Sequence, residues 1–434
     1  MTIQGILILV AFFVFAGFMI TKVLPTILAL PLMAIVVCLI AGMPFLAIIN
    51  KVILGGATML SSAMMVVVFG AMFAQVIMKT GISSSIIKKA AELAGDSPRP
   101  IAFVITLAVA FVFLGMSGLG AVIMIGSIAI PILMSAGIKP VVVSSLLLFG
   151  IQAGLSANMA AYGTFIGVFG GEMAINYYMP SLLLSVGMAI VFIFINVKPE
   201  RKVSMWAAGT LTGNSKPKKV PALALITPVI PLVTVFAIKG IWGLGAADKG
   251  MADAVAAAIL GFIIASLFAI VITNPRRITG IFSAAIIEGI KDVAGVIFLF
   301  VGIGMLVAAV MNPAVSAYLN PIIQSIVPSS PIGVLIFFAV LSPIALYRGP
   351  LNLFGMGSGI AVLLLSLNIL PVMVVAGAFL AVGYIQVISD PTNSHNVWIS
   401  DYANVEPGAV LRMTLPYTWV MCVLMLLYVV FTKW

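Results

Sequence analysis

The chain has 434 residues, of which 63% are hydrophobic and 7% charged, and a formal net charge of +10. Soluble domains carry about 25% charged residues, so this sequence lacks the polar surface that would keep it in water. Its apolar runs are long and continuous rather than alternating with a period of two, which excludes a transmembrane β-barrel and predicts an all-α polytopic membrane protein. Basic loops on the cytoplasmic side of a bilayer account for the positive charge, and no basic patch interleaved with aromatics points to a nucleic-acid partner.

A helix crosses a bilayer with about 20 apolar residues, and such stretches follow one another along the chain. Met1–Lys22 has neither a basic leader nor a small-residue cleavage site and reads as a retained first helix. Further spans are expected at 24–42 and 58–78, then two short ones at 101–116 and 119–136 around the turn GMSGLG. A broken helix is expected at 141–170, interrupted at Ser156-Ala157-Asn158, and a plain span at 180–196. The polar insert 197–220 carries six Lys or Arg and reads as a cytoplasmic linker. Beyond it come spans at 221–243, 254–273 and 293–311, and a second short pair at 331–346 and 353–370 around ArgGlyPro, residues 348–350. A second broken helix, 372–400, is interrupted at Ser389-Asp390-Pro391, and a last span covers 415–432.

A shift of about 231–233 residues brings these breaks into register, with Gly70 on Gly302 and Ser156–Asn158 on Ser389–Pro391. The chain therefore divides into an N-terminal repeat, 1–196, the linker, 197–220, and a C-terminal repeat, 221–434. If the linker is cytoplasmic and each short pair returns to its own side, 16 basic residues fall inside and 4 outside. The two repeats then enter from opposite faces and are inverted. The pairs 101–136 and 331–370 read as re-entrant hairpins, although two ordinary spans joined by tight turns preserve the same charge distribution. Short, Gly- or Pro-interrupted segments at matching places in two halves point to a transporter's central site, because unwound backbone at membrane depth must be buried or line a cavity.

Arg348 sits at the second hairpin tip inside apolar sequence. Its five-donor fork suits a carboxylate, while a structural pair with Asp390 or a snorkelling side chain is the plainer alternative. Gly349 and Asn352 belong to the same tip. At the second break, Asp390 is the candidate cation ligand or proton site, with Ser389, Thr392, Asn393 and His395 beside it. Asp390 and Asn352, with carbonyls freed by the break, would hold Na⁺ if Na⁺ is the coupling ion. His395, the one histidine, either carries a proton or simply hydrogen-bonds. In the first half, Ser117 and Gly118 of the hairpin tip and Gln152, Ser156, Asn158 and Thr164 of the break offer neutral oxygens and amides. They would hold a cation or cargo hydroxyls, or merely pack helices. Glu288, Lys291 and Asp292 read as surface charges, and Cys38 and Cys422 as buried apolar side chains.

The stretch GGATMLSSAMMVVVFGAMFAQVIMKTGISSSIIKK, residues 55–89, resembles the third-helix region of the gluconate permease family, within the superfamily that also holds citrate and C4-dicarboxylate carriers. Ser389-Asp390-Pro391, in a broken helix followed by Trp398, resembles it too. The resemblance implies inverted repeats, a homodimer in the inner membrane, an elevator movement of a transport domain against a scaffold, and substrate turns at Ser117–Ala121 and Arg348–Asn352. ArgGlyPro stands where those permeases carry small and hydroxyl residues, and TNSHN follows SDP, which leaves an organic carboxylate rather than gluconate itself as the expected cargo. The reading is a Na⁺- or H⁺-coupled symporter with no other cofactor; a cation/proton antiporter using Asp390 is the alternative. A channel lacks its expected rings of filter residues, and an enzyme lacks a second acid, nucleophile or metal cluster beside Asp390 and His395.

Overall fold

The computed structural model describes residues 3–21, 23–95, 97–198, 220–242, 251–354, 357–366 and 370–434, so most of the linker lies outside the described residues. Among these, helices and turns make up the chain and no strand occurs. It is an all-α polytopic membrane protein. Among the described residues, six helical stretches are long and apolar enough to cross a bilayer, and shorter apolar helices accompany them.

In the first half, α1 (Ile3–Ile20) and α2 (Thr26–Ile40) pair with each other. Next, α3 (Phe45–Ala47), a π-helical turn (Ile48–Leu54), α4 (Gly55–Met59) and α5 (Ser61–Thr80) run on as one 36-residue helical stretch, longer than the span expected at 58–78. After α6 (Ile82–Leu93), α7 (Pro98–Phe113) and α8 (Leu119–Ser135) occupy the first short pair. Then α9 (Pro140–Leu155) and α10 (Gly163–Phe169) flank the first break, and α11 (Gly171–Asn196) closes the half.

The second half begins with a 3₁₀ segment (Ala222–Val229), α12 (Ile230–Trp242) and α13 (Met251–Thr273). A 33-residue helix, α14 (Ile278–Val310), starts well before the span expected at 293–311. The residues that read as an interfacial approach, including Glu288 and Asp292, are therefore part of the same rod. Next come α15 (Pro313–Ile326) and α16 (Pro331–Leu341), a 3₁₀ segment (Ser342–Arg348), and α17 (Gly357–Ser366) at the second short pair. The second break separates α18 (Val372–Ser389) from α19 (Ser394–Tyr402), and α20 (Pro407–Lys433) ends the chain.

Lipid tails are as apolar as leucine, so helices in a membrane associate through close packing rather than through hydrophobic burial. The sequence supplies small residues where this happens. A Cβ on Gly56 would lie 2.6 Å from the Met305 Cα, and one on Gly289 would lie 2.7 Å from the Met72 nitrogen. As the numbers rise along α4 and α5 they fall along α14, so these rods pack antiparallel with their backbones nearly touching.

Buried side chains form two cores. One joins α1, α2, the start of α5, α14 and α15 through residues such as Met33, Val37, Phe300 and Leu306. The other joins both short pairs, both broken helices, α11, α13 and α20, around Phe149, Phe192, Tyr177 and Phe379. Within the second core, α19 lies against α8: a Cβ on Gly126 would meet the Trp398 ring at 2.5 Å, and Trp398 stacks on Tyr402 at 5.0 Å. Large apolar side chains such as Phe13, Ile332 and Phe431 face outward, as a lipid-covered surface requires.

Candidate functional site

The first short pair turns over at Ser117-Gly118. Gly118 takes φ +89°, a conformation that side chains rarely adopt, and α8 starts immediately after it with no side chain capping its first turn. The opening N–H groups of a helix have no partner within it, so α8 presents donors at this tip. Asn158, from the first break, ties the turn down. Its amide donates to the carbonyls of Phe113 and Met116 at 2.8 and 2.9 Å, and its Oδ1 accepts from the Ala160 and Ala161 nitrogens. With all of this capacity used and the residue fully buried, Asn158 lies behind the wall of the site rather than on it.

The second tip is more strained. Tyr347 adopts φ 57° and ψ 33°, and a Cβ on Gly349 would collide with the carbonyls of Ile344 and Leu346. A non-glycine residue in the left-handed region persists only where surrounding structure enforces it. Asn352 steadies the exit: its Oδ1 accepts from the Phe354 nitrogen at 2.9 Å and its backbone carbonyl accepts from Gly357. The side chain of Arg348, the expected carboxylate fork, lies outside the described residues.

At the second break Asp390 is buried, and its Oδ1 accepts from both the backbone nitrogen and the hydroxyl of Thr392, at 2.9 and 2.7 Å. The carbonyls that the break frees are largely taken. Asn396 donates to Ile388 and Asp390 carbonyls at 3.0 and 2.8 Å, and Asn393 donates to Gln386 at 3.5 Å. Backbone groups without water must be satisfied internally, so these asparagines occupy positions that the sequence reading offered to Na⁺. Any cation held here would rest chiefly on the Asp390 carboxylate, a hard oxygen ligand. Ser389 faces away, bonded to Thr414 and Thr418 of α20 at 2.9 Å each.

The first break is neutral. Gln152 donates to Ser156 at 3.0 Å, and Ser156 shares a hydrogen bond with Ser185 of α11 at 2.9 Å. Across from it Tyr384 donates to Ser181 at 2.8 Å. Among the described residues, Gln152 Oε1 and His395 Nδ1 are buried with no hydrogen-bond partner. Both residues line the same cavity.

That cavity, about 370 Å³, is where the interruptions meet. Ser117 and Gly118 reach it from the first tip, Gln152, Ser156 and Thr164 from the first break, Asn352 from the second tip, and Asp390, Asn393 and His395 from the second break. Gly349, Asn158, Ser389 and Thr392 are not on its wall.

One residue that sequence reasoning set aside does reach it. Asp292, read as a surface charge, lines the cavity and accepts from Gln75 Nε2 at 2.6 Å. Asp292 is itself exposed, as is Lys291, and Glu288 pairs with Lys79 at 2.6 Å, so the reading as outer charges holds for all three while Asp292 also borders the cavity. The signal available in the sequence was a buried-helix glutamine, Gln75, whose amide needs a partner.

No family model matches this chain, and no curated protein matches it. Among solved structures it is similar to the YdaH transporter from Alcanivorax borkumensis, whose crystal structure is described as revealing an unusual topology. The two share 16% identity with a TM-score of 0.61, over 90% of this chain and 89% of the other. At that identity the likeness is one of fold.

Proposed function

We propose that this protein is a secondary active transporter that moves a small organic carboxylate across the membrane together with a cation, Na⁺ or H⁺. One observation carries the reading: both hairpin tips and both helix breaks, drawn from separate parts of the chain, open on a single cavity. Irregular backbone at membrane depth is costly unless it serves such a cavity. The fold likeness to a transporter supports the same conclusion.

In this reading the uncapped start of α8 and the second tip, with Arg348, take the carboxylate, and Asp390 takes the cation. Charge neutralisation by the co-bound cation lowers the cost of carrying the anion through a poorly hydrated passage. The two halves are inverted repeats, 197–220 is cytoplasmic, and the protein resides in the inner membrane as a homodimer. The core that holds both tips and both breaks moves past the core of α1, α2 and α14 in an elevator-like step. The antiporter alternative draws on the buried carboxylate of Asp390 and needs no organic cargo.

The test is thermal stability of the purified protein with small carboxylates, each with and without Na⁺, repeated on Arg348→Ala. A ligand that binds the folded state raises Tm by linkage. Stabilisation by a carboxylate that requires Na⁺ and disappears in the variant supports the symporter. Stabilisation by Na⁺ with every carboxylate silent leaves the antiporter.

A further inference from the structure

Asp292 is a cavity carboxylate that the transport reading does not use. It projects from α14, part of the core of α1 and α2, towards the first hairpin tip, which belongs to the other core. Its Oδ2 lies 3.9 Å from the place a Cβ would occupy on Gly120, in the first turn of α8. Gln75, 7% exposed on α5, donates to that same oxygen at 2.6 Å and so fixes the carboxylate's direction.

A full negative charge thus stands beside the N–H groups that would receive a cargo carboxylate. For a plain carboxylate this is a like-charge conflict at short range. A cargo that carries a cationic donor next to its carboxylate removes the conflict, because one end meets the α8 donors while the other meets Asp292. A second acceptor is available for that donor. Gln152, 6% exposed, lines the same cavity with its Oε1 buried and unpartnered. An ammonium has three hydrogens to give, and two acceptors of this kind match it. A hydroxyl has one hydrogen and brings no compensating charge.

Resting on the organic-carboxylate reading above, we propose that the cargo is a zwitterionic α-amino carboxylate, with Asp292, oriented by Gln75, receiving its ammonium and Gln152 Oε1 accepting a second hydrogen bond. Asp292 is then a specificity residue of the same cavity as Asp390, which serves the coupling cation. The discrimination resides in this acid and not in Asp390.

The experiment is equilibrium binding to the full-length protein of alanine, lactate and propionate, then of glutamate and glutarate. A charge-assisted hydrogen bond contributes about 1.5–3 kcal/mol, so within a series the amino member should bind roughly 10- to 100-fold more tightly than the unsubstituted one. In Asp292→Asn, which keeps an acceptor for Gln75, that ratio should fall to within about threefold. N-acetylalanine, which loses the positive charge without any change to the protein, should bind no better than propionate, and this arm stands even if the variant does not fold. Propionate or lactate binding as tightly as alanine would overturn the proposal, as would an unchanged ratio in Asp292→Asn. If no acid of either series binds while Na⁺ alone stabilises the protein, the organic-carboxylate reading itself fails and this one falls with it.

Discussion

Each of the two helix breaks is held by an asparagine, but the two asparagines bind different things. Asn158 spends its amide on carbonyls of another element, Phe113 at the end of α7 and Met116 in the turn beyond it, and fills its oxygen with two nitrogens inside the break, those of Ala160 and Ala161. Asn396 spends its amide on its own broken helix, at Ile388 and Asp390, and its Oδ1 has no partner among the described residues. The Asn158 side chain is therefore a fastening between two elements, whereas the Asn396 side chain splints the backbone of its own break, which Ser389 separately ties to Thr414 and Thr418 of α20. A membrane forces both to satisfy unwound backbone; it does not force the satisfaction to be local. Where it is local, the charged group gains an ordered surround of its own, and the neighbouring elements are left to supply the rest of the site.

Asn158→Ala should show the largest effect on this contrast. It removes four hydrogen bonds and orphans buried carbonyls, and at about 1–3 kcal/mol for each unsatisfied group a loss near 4 kcal/mol is expected. Denaturant unfolding of the purified protein measures it; a loss under about 1 kcal/mol would end the view of Asn158 as a fastening. Asp390→Asn should instead leave stability nearly intact, since an amide oxygen still accepts from Thr392, while cation-dependent uptake falls by about 100-fold, as for the loss of a charged ligand. Uptake that keeps its cation dependence in this variant would remove Asp390 from the coupling role. Gly126→Ala presses a methyl into the Trp398 ring and should cost about 2 kcal/mol by overpacking, read as a lowered Tm. Asn396→Ala should cost about 1.5 kcal/mol, less than Asn158→Ala, because the Asp390 carbonyl still accepts from the Asn393 nitrogen at 3.2 Å. A reversal of the order of the two asparagines under the same assay would break the comparison. Gln152→Leu should change stability by less than about 1 kcal/mol, since one of its polar atoms is unpartnered, yet weaken binding of the cargo.

Much of this architecture could be read from the chain because glycine, proline and short polar interruptions have local causes and local consequences. The turn at Ser117-Gly118 and the breaks at Ser156 and Asp390 fall where helical propensity and hydropathy change together. The helix limits Pro98–Phe113 and Leu119–Ser135 lie within three residues of the short spans expected at 101–116 and 119–136. What escaped was long-range. Asp292 looked like one member of a charged cluster with Glu288 and Lys291, and the cluster does contain an ion pair with Lys79. Only the Gln75 amide, 217 residues away in sequence, separates Asp292 from its neighbours, and no pattern within one helix announces that. The strain at Tyr347 escaped for the same reason, since a left-handed tyrosine is imposed by the elements around it. Asn158 was legible as a polar residue at a break but not as one whose hydrogen bonds were already spent.

The stacked pair of Trp398 and Tyr402 has a mechanical meaning. The indole fills the space that any side chain at Gly126 would need, and the Tyr402 hydroxyl donates to the Ser127 carbonyl at 3.4 Å. A segment near the end of the chain is thus wedged against the arm of the first hairpin, like a strut set between two jaws. Ser117 on one jaw and His395 on the other belong to opposite halves of the sequence, yet both line the same cavity, and the strut ties the two sides of its wall together. Under the transport proposed above, one spacing would then meet the cargo from either side of the membrane.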